Sequence, residues 1–98
     1  EPGMVTTDEP GIYIEGSHGV RIENELLCCE SVKNEFGQFM EFEDLTYVPI
    51  DLDGIDASSM DEREKRVLNQ YHEFVFEKLF PFFEGEELAW LRNATRRI

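Results

Sequence analysis

The sequence predicts an α+β fold in which short antiparallel strands are followed by two helices. The first half alternates short β-branched and aromatic runs with glycine and proline, a pattern typical of strands and turns. The second half carries apolar residues at helical spacing from Val67 to Leu79. Pro81 separates this stretch from a shorter apolar pattern at residues 86–94. Strands that precede helices in this way indicate the α+β class.

The first strands are predicted from residues 4–27. Residues 4–9 are expected to be extended and to end at Pro10, which has no N–H to donate to a strand ladder. Residues 12–14 form a second short strand, and residues 16–19 form a turn. Residues 20–27 then make a third strand, so the chain is expected to form a hairpin here.

Alternation within residues 20–27 places three apolar side chains on one face, which we expect to meet the core: Val20, Ile22 and Leu26. Glu23 then points away from the core, beside Arg21. A carboxylate so close to a cation has two interpretations. It is either part of a surface ion pair or a metal ligand that a neighbouring group orients, and the spacing alone leaves both open.

The middle of the chain predicts a loop or hairpin turn and two more strands. Residues 30–37 are polar and contain Gly37, so we expect a loop or a hairpin turn there. Residues 39–42 and 45–50 are extended candidates, and Pro49 limits the second to a sheet edge or a strand end. Aspartates recur in residues 51–58, but no calcium-loop glutamate or flanking helices accompany them, so this segment is predicted to be a solvated turn.

The first helix is predicted to begin with a capping box formed by Ser59 and Glu62. Its apolar stripe consists of six side chains: Val67, Leu68, Tyr71, Phe74, Val75 and Leu79. Phe76 and Phe80 widen the stripe beyond what a small core needs, so we expect contacts with another subunit or domain. His72 lies one residue off the stripe, which favours a structural hydrogen bond.

The second helix is predicted at residues 86–94. Its apolar contacts are expected to be Leu88, Trp90 and Leu91. Three arginines follow at its C-terminal end, where cations complement the helix dipole: Arg92, Arg96 and Arg97. They are predicted to be a solvated cationic end.

Composition excludes several classes of function. The 98 residues carry a formal net charge of −13, with 22 acidic and 9 basic residues, which argues against nucleic acid as a partner. No apolar run is long enough to predict a membrane-spanning helix. Cys28 and Cys29 are adjacent, so they are predicted to be free thiols packed in the core, in keeping with a reducing, cytoplasmic location.

The stretch DEPGIYIEGSHGVRIENELL resembles the C-terminal signature of the M24 "pita-bread" metallopeptidases, which combines an EPG(I/L)Y segment with a G(I/V)RIE(N/D) segment. The wider wording is similar to the large, three-domain Xaa-Pro aminopeptidases, the aminopeptidase P group. Its segments here are TDEPG, GVRIENELL, FEDLTYVPID, NQYH and AWLRNAT. The resemblance therefore runs over residues 2–98.

The resemblance implies a role for each site residue. Glu9 ligates one of two divalent metal ions and carries the catalytic proton, while Glu23 bridges both ions. Tyr13 and Arg21 correspond to a pair that orients an aspartate ligand, and His18 in the predicted turn is a candidate for substrate contact. Oxygen ligands favour Mn²⁺, with Zn²⁺ and Co²⁺ as alternatives.

The family's other ligands, two aspartates and a histidine, lie upstream of the EPG segment. We therefore expect residues 1–38 to be the C-terminal end of a catalytic domain and residues 39–98 to be an extension that supports a homodimer. The implied substrate is a peptide with proline at its second position, and no nucleic acid or membrane is expected as a partner. The chain by itself is expected to be inactive and to bind no metal tightly.

Two alternatives to this interpretation remain. The chain could be a non-catalytic dimerisation module, because the aromatic excess of the first helix suits a subunit contact. It could also come from a prolidase-like or creatinase-like enzyme of the same fold, although the long tail after Tyr47 argues against both.

Overall fold

The computed structural model describes residues 1–98, which divide into two units, Glu1–Thr46 and Tyr47–Ile98. The first unit is built from strands and the second mainly from helices. The predicted order of antiparallel strands followed by two helices is therefore confirmed.

The first unit contains five antiparallel strands: β1 (Val5–Asp8), β2 (Gly11–Ile14), β3 (His18–Arg21), β4 (Asn24–Asn34) and β5 (Gly37–Asp44). The long strand β4 lies between β1 and β5 in a three-stranded sheet, and β2 pairs with β3 in a two-stranded sheet. The chain thus runs from one sheet into the other and back.

The prediction of one strand over residues 20–27 was wrong. The structure ends β3 at Arg21 and begins β4 at Asn24. The physical reason lies across the ladder, where Ile22 donates its N–H to the carbonyl of Pro10 at 3.2 Å. Because proline has no N–H, the reciprocal bond of an antiparallel pair cannot form, and the ladder is interrupted.

Of the two predictions for residues 30–37, a loop or a hairpin turn, the structure confirms the hairpin turn. Strand β4 continues to Asn34, and the chain reverses in a tight turn before Gly37, whose φ of 128° is accessible to glycine. The Asn34 side chain accepts the N–H of Phe36 at 2.9 Å and stabilises this turn. Polar side chains here indicate an exposed hairpin and not an irregular loop.

Residues 45–50 do not form the predicted strand. Leu45 still donates its N–H to the carbonyl of Glu25 at 2.9 Å. The N–H of Glu25, however, is accepted by the hydroxyl of Thr46 at 2.8 Å. A side chain thus replaces the backbone carbonyl that would continue the ladder, and the sheet ends at Asp44.

The first unit has no fully buried residue. Val20, which was expected to face a core, is 58% exposed, and Ile22 is exposed as well. Cys28 and Cys29 are half-buried free thiols, so the prediction of free thiols is confirmed while their burial is only partial. Both faces of these strands therefore leave apolar side chains in contact with solvent.

The second unit contains two helices, α1 (Glu62–Leu79) and α2 (Gly85–Ala94). Short 3₁₀ turns accompany them at Leu52–Gly54, Ala57–Ser59 and Phe80–Phe82. Asp51 and Asp56 cap the first two turns and are exposed, in keeping with the predicted solvated turn, although Leu52 between them is buried. Neither helix combines the length and the apolar character needed to cross a bilayer.

The capping box at the N-terminus of α1 is formed by a different pair of residues from the predicted one. Asp61 is the N-cap, where its carboxylate accepts the N–H of Glu64 at 2.8 Å and Glu64 accepts the N–H of Asp61 at 2.9 Å. The predicted box of Ser59 and Glu62 was wrong because the Ser59 hydroxyl donates to the Asp56 carboxylate at 2.7 Å.

The core of the second unit consists of four apolar side chains: Leu52, Leu68, Val75 and Leu91. His72 is 0% exposed among them, and its Nε2 atom accepts the N–H of Ile50 at 2.9 Å, which confirms the predicted structural hydrogen bond. Val67 and Trp90 were expected in apolar contacts, but both are exposed.

The three arginines near the C-terminal end of α2 are exposed, as predicted, and each also makes a contact within the unit. The guanidinium of Arg92 lies 5.0 Å from the centre of the Phe76 ring. Arg96 pairs with Asp53 at 3.3 Å and Arg97 with Glu73 at 3.5 Å.

Candidate functional site

The two predicted glutamates lie where the strand pairing is interrupted between the two sheets. The last pair of the first sheet is Asp8 with Asn24, and the first pair of the second sheet is Gly11 with Arg21. Two residues intervene on each strand, so the register places Glu9 opposite Glu23. Directly opposed residues of an antiparallel pair have their Cβ atoms about 5 Å apart. Thus the chain brings the two carboxylates together.

The same register defines one polar face. In paired strands, alternate residues and their cross-strand partners share a face. Glu9 therefore shares its face with Tyr13, and Glu23 shares it with Arg21. The opposite face is mainly apolar and includes four large apolar side chains: Ile12, Ile14, Val20 and Ile22. The structure thus separates the four polar candidates from the apolar side chains around them.

Arg21 is the electrostatic centre of this face. Its Nε atom lies 3.1 Å from a carboxylate oxygen of Glu23, and the two side chains are 52% and 37% exposed. The pKa of Arg21 is raised, first by a side-chain hydrogen bond with Tyr13, then by the charge of Glu23, with a smaller contribution from Glu9. Both glutamates therefore act on one guanidinium, which remains charged.

The donor set fits a divalent metal ion in part. Like charges directly opposite each other on paired strands are unfavourable unless a cation offsets them, and Arg21 supplies one such cation. Carboxylate oxygens are also the ligands that Mn²⁺ and related ions take. The structure contains no group of three or more His, Cys, Asp or Glu side chains that could hold a metal. Glu9 and Glu23 can therefore supply two ligands to a site that other residues would complete.

His18 lies apart from the two glutamates. It was predicted to be in the turn, but it is the first residue of β3 and pairs with Ile14, because the turn is complete at Ser17. The register places it on the apolar face, away from Glu9 and Glu23, and its Nδ1 atom lies 2.9 Å from the Ser17 hydroxyl. Its contact with substrate stays a prediction.

Sequence reasoning missed two residues of the polar face, Gly11 and Gly19. Both lie beneath the ring of Tyr13. A sequence signal could have found them. One glycine lies two residues before an aromatic residue on the same strand, and the other lies directly opposite that residue on the paired strand.

Two family profiles match the chain. The profile described as "C-terminal region of peptidase M24" covers residues 38–98, and the profile described as "Metallopeptidase family M24" covers residues 1–30.

Curated relatives are similar over nearly the whole chain. A probable Xaa-Pro aminopeptidase P from Arthroderma benhamiae is 42% identical over 99 residues, which cover 96% of this chain and 14% of the relative. Proteins of the same name from Coprinopsis cinerea and Tuber melanosporum are 39% and 42% identical, and each match covers 16% of the relative. The chain thus spans about a seventh of the length of these proteins.

A solved structure is also similar. The X-prolyl aminopeptidase of Caenorhabditis elegans, described as a cytosolic enzyme with a dinuclear active site, matches with a TM-score of 0.80 and 37% sequence identity. The match covers all of this chain and 17% of that protein.

Proposed function

The chain belongs to metallopeptidase family M24, and we propose that it supplies two metal-binding carboxylates, Glu9 and Glu23, to a dinuclear Xaa-Pro aminopeptidase. The substrate would be a peptide with proline at its second position, from which the enzyme removes the first residue. The observation that carries this proposal is the direct opposition of the two glutamates across the broken ladder.

The two carboxylates would have different positions in the centre. Glu9 would ligate one ion and Glu23 would ligate both, while the remaining ligands would come from parts of a longer protein outside residues 1–98. Oxygen donors favour Mn²⁺, with Zn²⁺ and Co²⁺ as alternatives. When bound, such an ion pair activates water and polarises the scissile carbonyl.

The chain's own residues would then move and neutralise charge. Glu9 would carry a proton from the attacking water to the nitrogen of the departing proline. Arg21 would stay protonated throughout, as a guanidinium does at any working pH, and would hold the Glu23 carboxylate in place. Tyr13 would fix Arg21 in turn, so that the two residues orient Glu23 without touching substrate.

Substitution of the two glutamates in the complete enzyme tests this proposal. Glu9→Gln and Glu23→Gln keep the side-chain size and remove the charge, so each should lower kcat by orders of magnitude while the fold is retained. Glu30→Gln makes the same charge change at an exposed position of β4 and serves as the control. Wild-type activity in Glu23→Gln would remove the assignment.

The substrate class is tested separately. Activity on Xaa-Pro-Xaa tripeptides with little on Xaa-Pro dipeptides would support an aminopeptidase. The reverse preference would indicate the prolidase-like alternative on the same fold.

We also propose that residues 39–98 form the contact of a cytoplasmic homodimer. Support comes from large side chains that the second unit leaves in solvent, with Phe82 81% and Trp90 57% exposed. The similar nematode enzyme is described as cytosolic. Sedimentation of the enzyme with and without residues 39–98 is the test, and a truncated protein that remains a dimer would exclude this contact.

A further inference from the structure

Gly11 and Gly19 have no conformational reason to be glycine. Neither has a positive φ, so any L-residue could adopt their backbone conformation. Glycine inside a strand weakens it, because it loses more conformational freedom on folding and has no side chain to pack. Something other than the backbone therefore requires glycine at both positions.

The Tyr13 ring provides the reason. A Cβ atom at position 19 would lie 2.8 Å from Cδ1 of Tyr13, and one at position 11 would lie 2.6 Å from the Tyr13 hydroxyl oxygen. Both distances are well below normal van der Waals contact. An aromatic ring is rigid, so a side chain at either glycine would push the whole ring away from the strands.

The ring lies along a defined direction. Its Cδ1 edge lies above Gly19, the cross-strand partner of Tyr13, and its hydroxyl lies above Gly11. Gly11 is in turn the cross-strand partner of Arg21. The two glycines therefore let the ring lie flat in the one orientation that brings its hydroxyl toward Arg21.

We infer that Gly11 and Gly19 are positioning residues for the metal centre: as a platform without side chains, they hold Tyr13 against Arg21, which orients Glu23. This inference rests on the proposed function, because it concerns the same site. It adds a third layer to that site, in which the glycines act on Glu23 only through Tyr13 and Arg21. Neither glycine is a catalytic residue.

Gly19→Ala is the sharper of the two substitutions. At position 11 an added Cβ would also lie 2.9 Å from the backbone carbonyl of Val20, so backbone strain would obscure the result. At position 19 the one short distance is to the Tyr13 ring, and the next atom, the Ile12 carbonyl oxygen, is 3.4 Å away. Gly54→Ala is the matched control, because no atom lies within 4 Å of a Cβ there and its φ is not positive.

The experiment is a double-mutant cycle in the complete enzyme with Gly19→Ala and Tyr13→Phe. Displacing the ring and removing its hydroxyl abolish the same contact with Arg21, so each should lower kcat about tenfold to a hundredfold, as misplacement of a catalytic group does. The double variant should be no slower than the slower single variant, and KM should change less than about threefold. Gly54→Ala should retain wild-type kcat.

Crystal structures of the wild-type and Gly19→Ala enzymes give a second readout that does not depend on activity. We expect the Tyr13 hydroxyl to leave Arg21 in the variant. An unmoved ring, additive losses of kcat in the cycle, or wild-type kcat in Gly19→Ala would each overturn the inference. Failure of the proposed function is distinguishable, because it would show as an active Glu23→Gln enzyme.

Discussion

His72 is the residue whose protonation couples the second unit to pH. Its Nε2 atom accepts the N–H of Ile50, so its proton lies on Nδ1. Burial lowers the pKa of His72 from its usual 6.5. A hydrogen bond with the Arg96 backbone raises this pKa in part, and the positive charge of Arg96 lowers it further. The folded unit therefore holds this imidazole in its neutral form.

The stability of the second unit should consequently fall in mild acid. Below pH 6.5 the unfolded chain binds a proton that the folded chain resists, so the stability that His72 contributes is complete above this pH and is lost as pH falls toward the folded pKa. Denaturant unfolding at several pH values from about 7.5 to about 5, a range that includes the usual histidine pKa, would measure how steeply the free energy of unfolding falls with pH.

The two histidines of the chain allow a matched comparison for this prediction. His72→Gln should flatten the dependence on pH, whereas His18→Gln at an exposed position should leave it unchanged. An equal slope in the wild type and His72→Gln would show that other groups cause the acid sensitivity.

The residues of the polar face could be predicted from sequence to different degrees. Glu23 and Arg21 follow from strand alternation, and their ion pair is present in the structure. Tyr13 near Arg21 followed from the family resemblance. The role of Gly19 could not be predicted, since it depends on the direction in which a ring lies over a neighbouring strand.

At the scale of single elements, the start of α1 shows how a correct rule can select the wrong residue. Residues 59–62 and 61–64 both fit the capping-box pattern, so sequence alone does not choose between them. Asp56 decides between them, because its carboxylate accepts a hydrogen bond from the Ser59 hydroxyl within the preceding 3₁₀ turn. Asp61 is left to cap the helix.

Replacing this cap should weaken the helix. Asp61→Ala removes the acceptor for the N–H of Glu64 and should lower the free energy of unfolding by about 1 kcal/mol. Gln70→Ala, at an exposed position in the middle of α1, should change it by less than about 0.5 kcal/mol. Thermal unfolding followed by circular dichroism compares the two, and an equal effect would mean that Asp61 does not cap α1.

The break between β3 and β4 illustrates a second limit of sequence patterns. Alternation from Val20 to Leu27 is continuous, which predicts one strand. The interruption originates in Pro10, which lies on the partner strand. A strand boundary of this kind depends on register, and register is not visible until the pairing is known.

At the scale of the whole molecule, the two units differ in how much they bury. The second unit has a core around Leu68, Val75 and Leu91, while the first has no fully buried residue. Alternation predicts which residues share a face, but it does not show what covers that face. For this reason Val20 and Ile22 were predicted correctly to share a face and wrongly to meet a core.

Two whole-molecule predictions follow for residues 1–98 in isolation. With added Mn²⁺ and contaminating peptidases excluded, they should show no Xaa-Pro cleavage, because Glu9 and Glu23 are only part of a ligand set. Their open sheet edges and exposed apolar side chains should favour self-association. Measurable cleavage would contradict the first prediction, and a monomer at high concentration in light scattering would contradict the second.

The opposition of Glu9 and Glu23 is the claim on which the proposed function depends. It is tested most directly by anomalous scattering from crystals of the complete enzyme grown with Mn²⁺. We expect two metal peaks, with the Glu23 carboxylate on both and the Glu9 carboxylate on one. Metal peaks elsewhere in the protein, or two carboxylates turned to solvent with no ion between them, would contradict the account.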